Sequence, residues 1–381
     1  MKILQVIPYL NPQKGGDVNV CCNISKKLAE KGHSLTIITS DYDYDENFSS
    51  ELQSGGIEVI PFHCSFNMSY FFISPSMKKW LEQQMKSFDI IHLHSYRSYQ
   101  NLLTCRFAKS NNIPYILQAH GSLCTFFQKK EIKKVFDYLW GFDLLADSAG
   151  FIALSTAEMM QYESMGAKTE NIEIIPNGIS LDKYDGLNKY ESFKHQYGIE
   201  SEKVILYLGR VNKGKGLDLL LKAFSLVKMN YNNVKLVIIG PDDGALNDLK
   251  TIANELAIDQ DVIFTGFVSE EEKIAALLDA DIFATPYYWG FPVTFIEAMA
   301  CRTPIITSRN ENNLEWIDNF VGYTTDYSET CFATSIEKLL LDDEVRERFA
   351  SNGLQLVKQK YDWNKIVDDV EKIYSKHSIS K

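Results

Sequence analysis

The sequence predicts an α/β protein of two doubly wound, Rossmann-like domains, each a parallel sheet with helices on both faces. Short runs rich in Ile, Val and Leu alternate with amphipathic helical stretches from end to end. Each pair of parallel strands needs a crossover, which a helix usually supplies, so the alternation favours parallel sheets. A length of 381 residues suits two domains, and 45% hydrophobic with 23% charged residues is typical of a soluble globular protein.

The strand-like runs set the predicted domain boundaries. In the first half they are KILQVIPY, SLTIITS, IEVIPF, DIIHLH, PYILQAH, GFIALS and IEIIP, and in the second KVILYLG, VKLVIIG, VIFTG, DIFATP and TPIITS. Helical patterns lie between them, for example at 18–31, 217–229 and 270–279. Residues 177–203 are polar and contain no such run, which indicates a link. We therefore expect one domain at 1–180, a linker at 181–202 and a second domain at 203–360. A final amphipathic helix at 361–381 is expected to pack back on the first domain.

Composition excludes several classes of protein. No run is long and apolar enough to cross a bilayer, and the start MKILQVIPYLNP has no signal-peptide cleavage site. The seven cysteines form no C-x-x-C pair, so neither a disulfide framework nor a zinc site is predicted. A reducing cytoplasm is the expected location. A net charge of −11 opposes nonspecific binding to nucleic acid.

The stretch YLGRVNKGKGLDLLLKAF resembles a phosphate-binding loop. It has Gly209 and Lys215 at Walker A spacing, but Gly216 stands where that motif needs a hydroxyl to hold magnesium. Arg210 and Lys215 follow a strand directly, and two cations there can neutralise a diphosphate without a metal. The alternative is a solvated basic turn, which is the interpretation we give to Lys213.

Two further strand ends carry candidate residues in the first half. Gly15 and Gly16 precede a helix whose free N–H groups could face a ligand, although a Gly-Gly turn is often only a turn. His120 ends the run PYILQAH, where it could donate to a substrate hydroxyl or carbonyl, or only tie down its own loop.

The stretch DIFATPYYWGFPVTFIEAMACRTPIITS is the most informative. It predicts a strand, a turn and a helix over 293–300, with Pro292 at the helix start. The N–H groups near Val293 and Thr294 form an anion site of helix-dipole type. Glu297 lies one turn inside that helix among apolar neighbours, and a buried carboxylate there suits the paired hydroxyls of a ribose.

Taken together, these motifs resemble a known family. They resemble, in order and over nearly the whole chain, the motifs of retaining glycosyltransferases of the GT-B type, family 4. The matching motifs are the Gly-Gly loop, the His-Gly strand end, IIPNGIS, GRVNKGKG, FTGFV and GFPVTFIEAMA. The resemblance implies two domains facing across a cleft, a nucleotide-sugar donor held mainly by the second domain, and no metal or other cofactor. The cations then replace magnesium, and the Walker-like spacing is a coincidence.

The resemblance also implies a role for each matching residue. Arg210 and Lys215 would bind the diphosphate, helped by the amides of Gly16 and of the helix start. Glu297, the second acid of the family's E-x7-E motif, would hold the ribose, and His120 would touch the transferred sugar. The implied catalytic residues are His120, Arg210 and Lys215; the implied donor-binding residues are Gly15, Gly16, Phe267, Val268, Trp289, Gly290, Phe291, Val293, Thr294 and Glu297.

The sequence departs from the family pattern at two positions. Trp289 occupies the first acidic position of E-x7-E, which leaves the sugar's identity and orientation open. Arg302 stands in a turn where the family often has Gly. Because the resemblance implies retention, the diphosphate itself would accept the acceptor's proton, and no acid/base pair of carboxylates is required. Other interpretations remain: an epimerase or phosphorylase of the same architecture, or a silent nucleotide-sugar binder.

The acceptor is expected to be a glycan or a lipid-linked acceptor such as a glycolipid. The segment 124–142 places aromatic residues among lysines, so it could lie on an anionic membrane surface at the inner face, or simply pack as a helix with a solvated lysine face. Tyr96, Arg97 and Gln100 follow another strand end, and we predict from position alone that they line the acceptor side.

Overall fold

The structure is a computed structural model that describes residues 1–12, 15–68, 71–123, 130–184, 186–187, 192–287, 292–309 and 316–379. The chain divides into two compact units. The first comprises Met1–Gly178 and Trp363–Lys381, and the second comprises Ile179–Asp362. In the described part of the chain, no helix has the length and apolar character needed to span a membrane.

The first unit is built on a seven-stranded sheet in the order β3-β2-β1-β6-β7-β8-β9, with every pair parallel. A two-stranded antiparallel hairpin, β4-β5, is separate from it. The strands are β1 Lys2–Val6, β2 Ser34–Ser40, β3 Ile57–Phe62, β4 Phe66–Met68, β5 Phe71–Ile73, β6 Ile90–His94, β7 Tyr115–Gln118, β8 Gly150–Ala153 and β9 Ile172–Ile174. The helices are α1 Gly16–Glu30, α2 Glu46–Ser54, α3 Ser76–Gln84, α4 Tyr99–Asn111, α5 Lys130–Phe136, α6 Phe142–Ala146, α7 Thr156–Ser164 and, from the end of the chain, α15 Trp363–His377; a π-helical turn, Asp137–Gly141, joins α5 to α6.

The second unit has a six-stranded parallel sheet in the order β12-β11-β10-β13-β14-β15. Its strands are β10 Lys203–Leu208, β11 Val234–Ile239, β12 Val262–Gly266, β13 Ile282–Thr285, β14 Ile305–Ser308 and β15 Gly322–Thr325. Its helices are α8 Ser192–Gln196, α9 Leu217–Asn230, α10 Leu246–Glu255, α11 Glu270–Asp279, α12 Val293–Ala300, α13 Glu329–Leu341 and α14 Asp343–Lys360. Both faces of the central strands are buried, as a helix layer on each side requires.

These two parallel sheets confirm the predicted fold class, and each predicted run forms a strand. Residues 181–202, however, do not form a separate linker, because they belong to the second unit. Tyr184, Phe193 and Ile199 bury their side chains in its core, so apolar side chains spaced through a polar stretch anchor it there. The final helix α15 packs within the first unit, where Val367 and Val370 join its core.

The carboxyl ends of β10 and β11 approach each other closely at two glycines. The amide of Gly209 donates to the carbonyl oxygen of Ile239 at 2.9 Å, and a Cβ on Gly240 would overlap the Gly209 carbonyl. Gly240 also has φ +145, a conformation that L side chains rarely adopt. This close approach of the two backbones requires glycine at position 240.

We expect Gly240→Ala to destabilise the second unit by at least about 2 kcal/mol, since it adds overpacking to backbone strain. Urea unfolding would measure the loss. Gly214→Ala is the matched control: its added Cβ would meet Asn212 Oδ1 at 3.5 Å, an ordinary contact. We expect the control to change stability by less than about 0.5 kcal/mol. Equal effects of the two substitutions would contradict the argument.

Candidate functional site

The loop after β10 carries two cations whose charge is poorly balanced. Arg210 is 70% exposed and its Nη1 lies 3.4 Å from Asp243 Oδ2, a long contact for an ion pair. Burial and then the neighbouring Arg210 charge lower the pKa of Lys215. Both effects disfavour the ammonium form, so an anion bound between the two cations would relieve them. Lys213, in the same loop, differs because it is exposed and pairs with Asp248 at 2.8 Å.

Local backbone geometry directs this loop into α9. The Asn212 side chain accepts from the Gly214 amide at 3.0 Å, which closes a short 3-10 turn at Lys213–Lys215. Gly216 then adopts φ +67, and Tyr327 and Pro286 leave no room for a side chain there. Glycine is therefore needed for conformation and packing, which explains why no hydroxyl residue stands at this position.

Glu297 is a buried carboxylate held by a lysine. It lies in α12 with 9% of its surface exposed, and Lys273 Nζ is 2.7 Å from its Oε1. Burial alone would lower the pKa of Lys273, but Glu297 and Glu270 outweigh it and the pKa is raised. Burial, followed by Glu297, raises the pKa of Tyr184. Sequence reasoning missed Lys273 and Tyr184, because each is distant from Glu297 along the chain.

The other predicted donor-binding residues of the second unit lie at helix and strand ends. Val293 and Thr294 begin α12, whose Pro292 cap supplies no side-chain hydrogen bond. Phe267 follows β12 and is 80% exposed, with Val268 partly buried beside it. Trp289, Gly290 and Phe291 lie outside the described residues.

In the first unit, the start of α1 already carries an acid. The Asp17 carboxylate accepts from Tyr9 Oη at 3.1 Å and from Ser95 Oγ at 2.9 Å. A Cβ on Gly15 would collide with these Tyr9 and Asp17 side chains, so their contact accounts for that glycine, whereas Gly16 has open space around it. The Asp17 carboxylate thus lies beside the Gly16 amide at this helix start. The role of that amide in binding the diphosphate stays a prediction.

His120 stands in a strained turn after β7. It has φ +53, and Gly121 follows with φ +76. The buried carboxylate of Glu158 accepts from the Gly121 amide at 2.5 Å and from the Leu154 amide at 2.7 Å. Burial raises the pKa of Glu158, which these two hydrogen bonds oppose. Ser155 and Glu158 have the S-x-x-E spacing of a capping box, which signals a helix start but not this contact with the His120 turn.

The His120 ring lies beside two fully buried imidazoles, those of His92 and His94. Its Nε2 lies 2.8 Å from His94 Nδ1, and the His94 ring lies 4.1 Å, centroid to centroid, from that of His92. Burial lowers the pKa of His120 to about 4 and, together with the His120 ring, that of His92 to about 3. The pKa of His94 is also lowered, so all three rings are neutral at pH 7.

Tyr96 and Gln100 do not line a surface, contrary to the prediction, and Arg97 keeps 12% of its side chain exposed. Tyr96 and Gln100 are fully buried, and Gln100 donates to the Phe72 carbonyl oxygen at 2.9 Å. Arg97 donates two hydrogen bonds to the Asp137 carboxylate, from Nε to Oδ1 at 2.9 Å and from Nη2 to Oδ2 at 2.7 Å. It also donates to the carbonyl oxygens of Ser122 and Leu123. These side chains turn inward and hold neighbouring backbone segments in place.

An exposed apolar surface covers α5, the π-turn and α6. Of the segment 124–142, residues 124–129 lie outside the described part. In the remainder, Tyr138 is 81% exposed. Phe136 turns inward and is buried. The other exposed apolar side chains of this surface are Ile132, Val135, Leu139, Trp140 and Phe142. Lys130, Lys133 and Lys134 come from the same helix, α5.

Two family models match consecutive parts of the chain. The model described as "Glycosyltransferase Family 4" matches residues 14–183, and "Glycosyl transferases group 1" matches residues 189–375. Among solved structures, HepE from Anabaena in complex with UDP and glucose superposes with a TM-score of 0.80 at 19% identity, over 99% of this chain and 100% of that one. WaaG, a glycosyltransferase involved in lipopolysaccharide biosynthesis, gives 0.70 at 15% identity over 98% and 99%. These two likenesses concern the fold.

Curated relatives match over most of their length. The α-monoglucosyldiacylglycerol synthase of Streptococcus pneumoniae is 30% identical over 366 residues, which are 90% of this chain and 79% of the relative. The phosphatidyl-myo-inositol mannosyltransferase of Mycobacterium leprae is 25% identical over 388 residues, 98% and 96% of the two chains.

We predict that the first unit loses stability as the pH falls below about 6.5, the ordinary pKa of an unfolded histidine. The folded pKa values of His92, His94 and His120 are lowered, so the unfolded chain binds more protons there. Each ring contributes up to about 1.4 kcal/mol per pH unit until it titrates in the folded state. Glu158, whose folded pKa is raised, acts in the opposite sense.

Hydrogen exchange of β6 peptides at pH 7.5 and 5.5 would measure this loss. His92→Leu should reduce the pH dependence, whereas His63→Gln, at a side chain that is 77% exposed, should leave it unchanged. Protection of β6 that does not vary between the two pH values would contradict the assignment of neutral buried rings.

Proposed function

The chain belongs to family 4 of the glycosyltransferases, with the GT-B fold, and from that premise we propose which reaction it performs. It transfers a sugar from a nucleotide-diphosphate sugar to a hydroxyl of a glycan or glycolipid, retains the anomeric configuration and needs no metal ion. The relatives support this proposal: HepE was solved with UDP and glucose, and the names of two relatives include a lipid, phosphatidyl-myo-inositol in one and monoglucosyldiacylglycerol in the other.

The observation that carries the proposal is the poorly balanced pair Arg210 and Lys215. In sugar transfer the leaving diphosphate gains charge as the glycosidic bond breaks, and fixed cations aimed at that charge stabilise the transition state. The lowered pKa of Lys215 means that a bound diphosphate would restore the favourable environment of its ammonium group. The same two charges would perform the neutralisation for which other enzymes use magnesium.

Glu297 supports the nucleotide part of the donor. Lys273 contacts one carboxylate oxygen, Oε1, and the carboxylate has further lone pairs that can accept from hydroxyl groups. The second unit thus offers cations for a diphosphate and a carboxylate for a ribose. In a retaining reaction the acceptor hydroxyl attacks from the leaving-group side, and a diphosphate oxygen takes its proton.

We expect Lys215→Ala to lower kcat/KM for the nucleotide-sugar donor by about 100-fold, the effect of removing one preorganised donor to a developing charge. Lys213→Ala is the matched control in the same loop, and its activity should stay within about twofold, because exposed ion pairs contribute little. EDTA should leave the wild-type rate unchanged. Proton NMR of the product should show the anomeric configuration of the donor.

The outcomes separate the competing functions. Thermal stabilisation by UDP, GDP, ADP or a sugar conjugate, lost in Glu297→Ala, would support the donor site and identify its base. Binding without turnover over a broad acceptor panel would replace the proposal with a silent binder, and conversion of the donor without an acceptor would replace it with an epimerase. Inversion at the anomeric carbon would overturn the retaining mechanism.

We further propose that the apolar surface of α5 and α6 rests on an anionic lipid bilayer. Tyr138, Trp140 and the exposed aliphatic side chains can enter the interface, while Lys130 and Lys134 suit acidic headgroups. Arg97 ties this surface to the His120 turn, because it binds Asp137 in the π-turn and the Ser122 and Leu123 carbonyls beside that turn. A lipid-linked acceptor would thus approach a segment connected to His120.

Flotation with phosphatidylglycerol vesicles tests this surface. We expect wild-type protein to float at low salt, and the double substitution Tyr138→Ser and Trp140→Ser to weaken binding at least about tenfold through lost apolar burial. Met229→Ser, at an equally exposed side chain (81%) of the second unit, is the control and should bind as wild type does. Equal binding to neutral phosphatidylcholine vesicles, or no binding, would contradict the proposal.

A further inference from the structure

A continuous row of hydrogen bonds connects His120 to the last helix of the chain. His120 Nε2 lies 2.8 Å from His94 Nδ1, and His94 Nε2 lies 2.8 Å from Gln5 Oε1. Gln5 Nε2 donates to Tyr374 Oη at 3.2 Å, and that hydroxyl lies 2.6 Å from His92 Nδ1. We call these five residues the histidine network.

The network lies where apolar side chains would be expected. His92 and His94 alternate along β6 and therefore share one face of the sheet, opposite Gln5 on the adjacent strand β1. Tyr374 reaches them from α15, and these four residues are fully buried. Buried polar groups are costly when a partner is missing, and His92 Nε2 and His120 Nδ1 have none among the described residues, so we look to function for the reason they stand here.

Because the rings are neutral, each has one N–H donor and one acceptor nitrogen. The hydrogen-bond partners of each ring therefore determine which nitrogen carries the proton. His92 Nε2 has no hydrogen-bond partner among the described residues. Gln5 Nε2 can only donate, so the Tyr374 oxygen accepts from it and the Tyr374 proton is directed to His92 Nδ1. Burial raises the pKa of Tyr374, and the hydrogen bond from Gln5 opposes this effect, as a donor to the phenol oxygen should.

The same order continues to His120. Gln5 Oε1 can only accept, so His94 Nε2 carries the proton and His94 Nδ1 is an acceptor. His120 Nε2 must then donate to it, which leaves a lone pair on His120 Nδ1. That Nδ1 is buried and has no hydrogen-bond partner among the described residues. Asp17, whose charge acts on the His120 ring, already accepts from Tyr9, Ser95 and the Val18 amide.

We propose that the histidine network holds His120 in the Nε2–H tautomer, so that its Nδ1 accepts a hydrogen bond from a hydroxyl of the transferred sugar. His94, Gln5, Tyr374 and His92 are positioning residues that act through His120. This inference rests on the proposed function and on the role that the family resemblance implies for His120, which is contact with the transferred sugar. It reverses the sequence-based expectation that His120 donates, and it disfavours a phosphate or carbonyl oxygen at this nitrogen, since neither can donate.

Ring nitrogen NMR on the full-length protein tests the tautomer without any substrate. The protein would be labelled with ring-¹⁵N histidine, and His120→Gln would assign the His120 signals in long-range proton–nitrogen spectra at pH 7.5. We expect the pattern of a neutral ring protonated at Nε2. A pattern with the proton on Nδ1, or a charged ring, would overturn the proposal, whatever the activity of the protein.

Tyr374→Phe tests the network's control over His120. It removes the hydroxyl that orders Gln5 and His92, so we expect mixed His120 tautomers and kcat/KM about tenfold lower, as for other orienting partners. Tyr115→Phe is the matched control: it removes another buried hydroxyl of the first unit, bonded to the Leu144 carbonyl. It should keep both the His120 spectrum and the rate. Identical spectra in the two variants would overturn the network's role.

Failure of this inference is distinguishable from failure of the proposed function. A wild-type protein that transfers sugar but protonates His120 at Nδ1 would refute the tautomer alone. A protein with the expected spectrum that transfers no sugar from any nucleotide donor would refute the proposed function, and with it the sugar hydroxyl as the ligand of His120.

Discussion

The parallel arrangement of the strands is the constraint on which the rest of the structure depends. In a parallel sheet all carboxyl ends meet at one edge, so the loops that follow different strands become neighbours. In the second unit this brings Arg210, after β10, to Asp243, which follows β11. In the first unit it brings His94, at the end of β6, to His120, after β7. Residues distant in sequence thus become neighbours because of the sheet topology.

The same constraint creates strain that buried polar groups must offset. The chain has to turn sharply at each strand end, and Ser95 and His120 do so with φ +63 and +53. Such left-handed conformations cost a non-glycine residue about 1–2 kcal/mol. At His120, hydrogen bonds from the Gly121 and Leu154 amides to Glu158 hold the turn, and the Tyr162 hydroxyl accepts from the Ala119 amide. Arg302, with φ +61, shows why the family pattern often has glycine there.

The regular elements could be predicted because their signals are local. The helix predicted over 270–279 is observed at Glu270–Asp279, and the burial of Glu297 follows from its apolar neighbours. Strand β15 was not predicted, since GYTT contains little apolar surface. Partners could not be predicted at all: Arg97 follows a strand end, as a site residue would, but its side chain turns to Asp137, 40 residues away. Position along a strand does not give side-chain direction.

Two of the buried carboxylates, Glu158 and Glu297, differ in what they are suited to bind. The Glu158 oxygens accept hydrogen bonds from backbone amides of two segments. Because both donors belong to the backbone, these bonds hold the backbone around His120 in place. Glu297 is balanced by a lysine side chain that contacts Oε1 and is itself shared with Glu270. The lysine contacts Oε1 without occupying all the lone pairs of the carboxylate, so the carboxylate can accept further hydrogen bonds. Glu158 is therefore suited to hold the protein's own backbone, and Glu297 to hold a ligand.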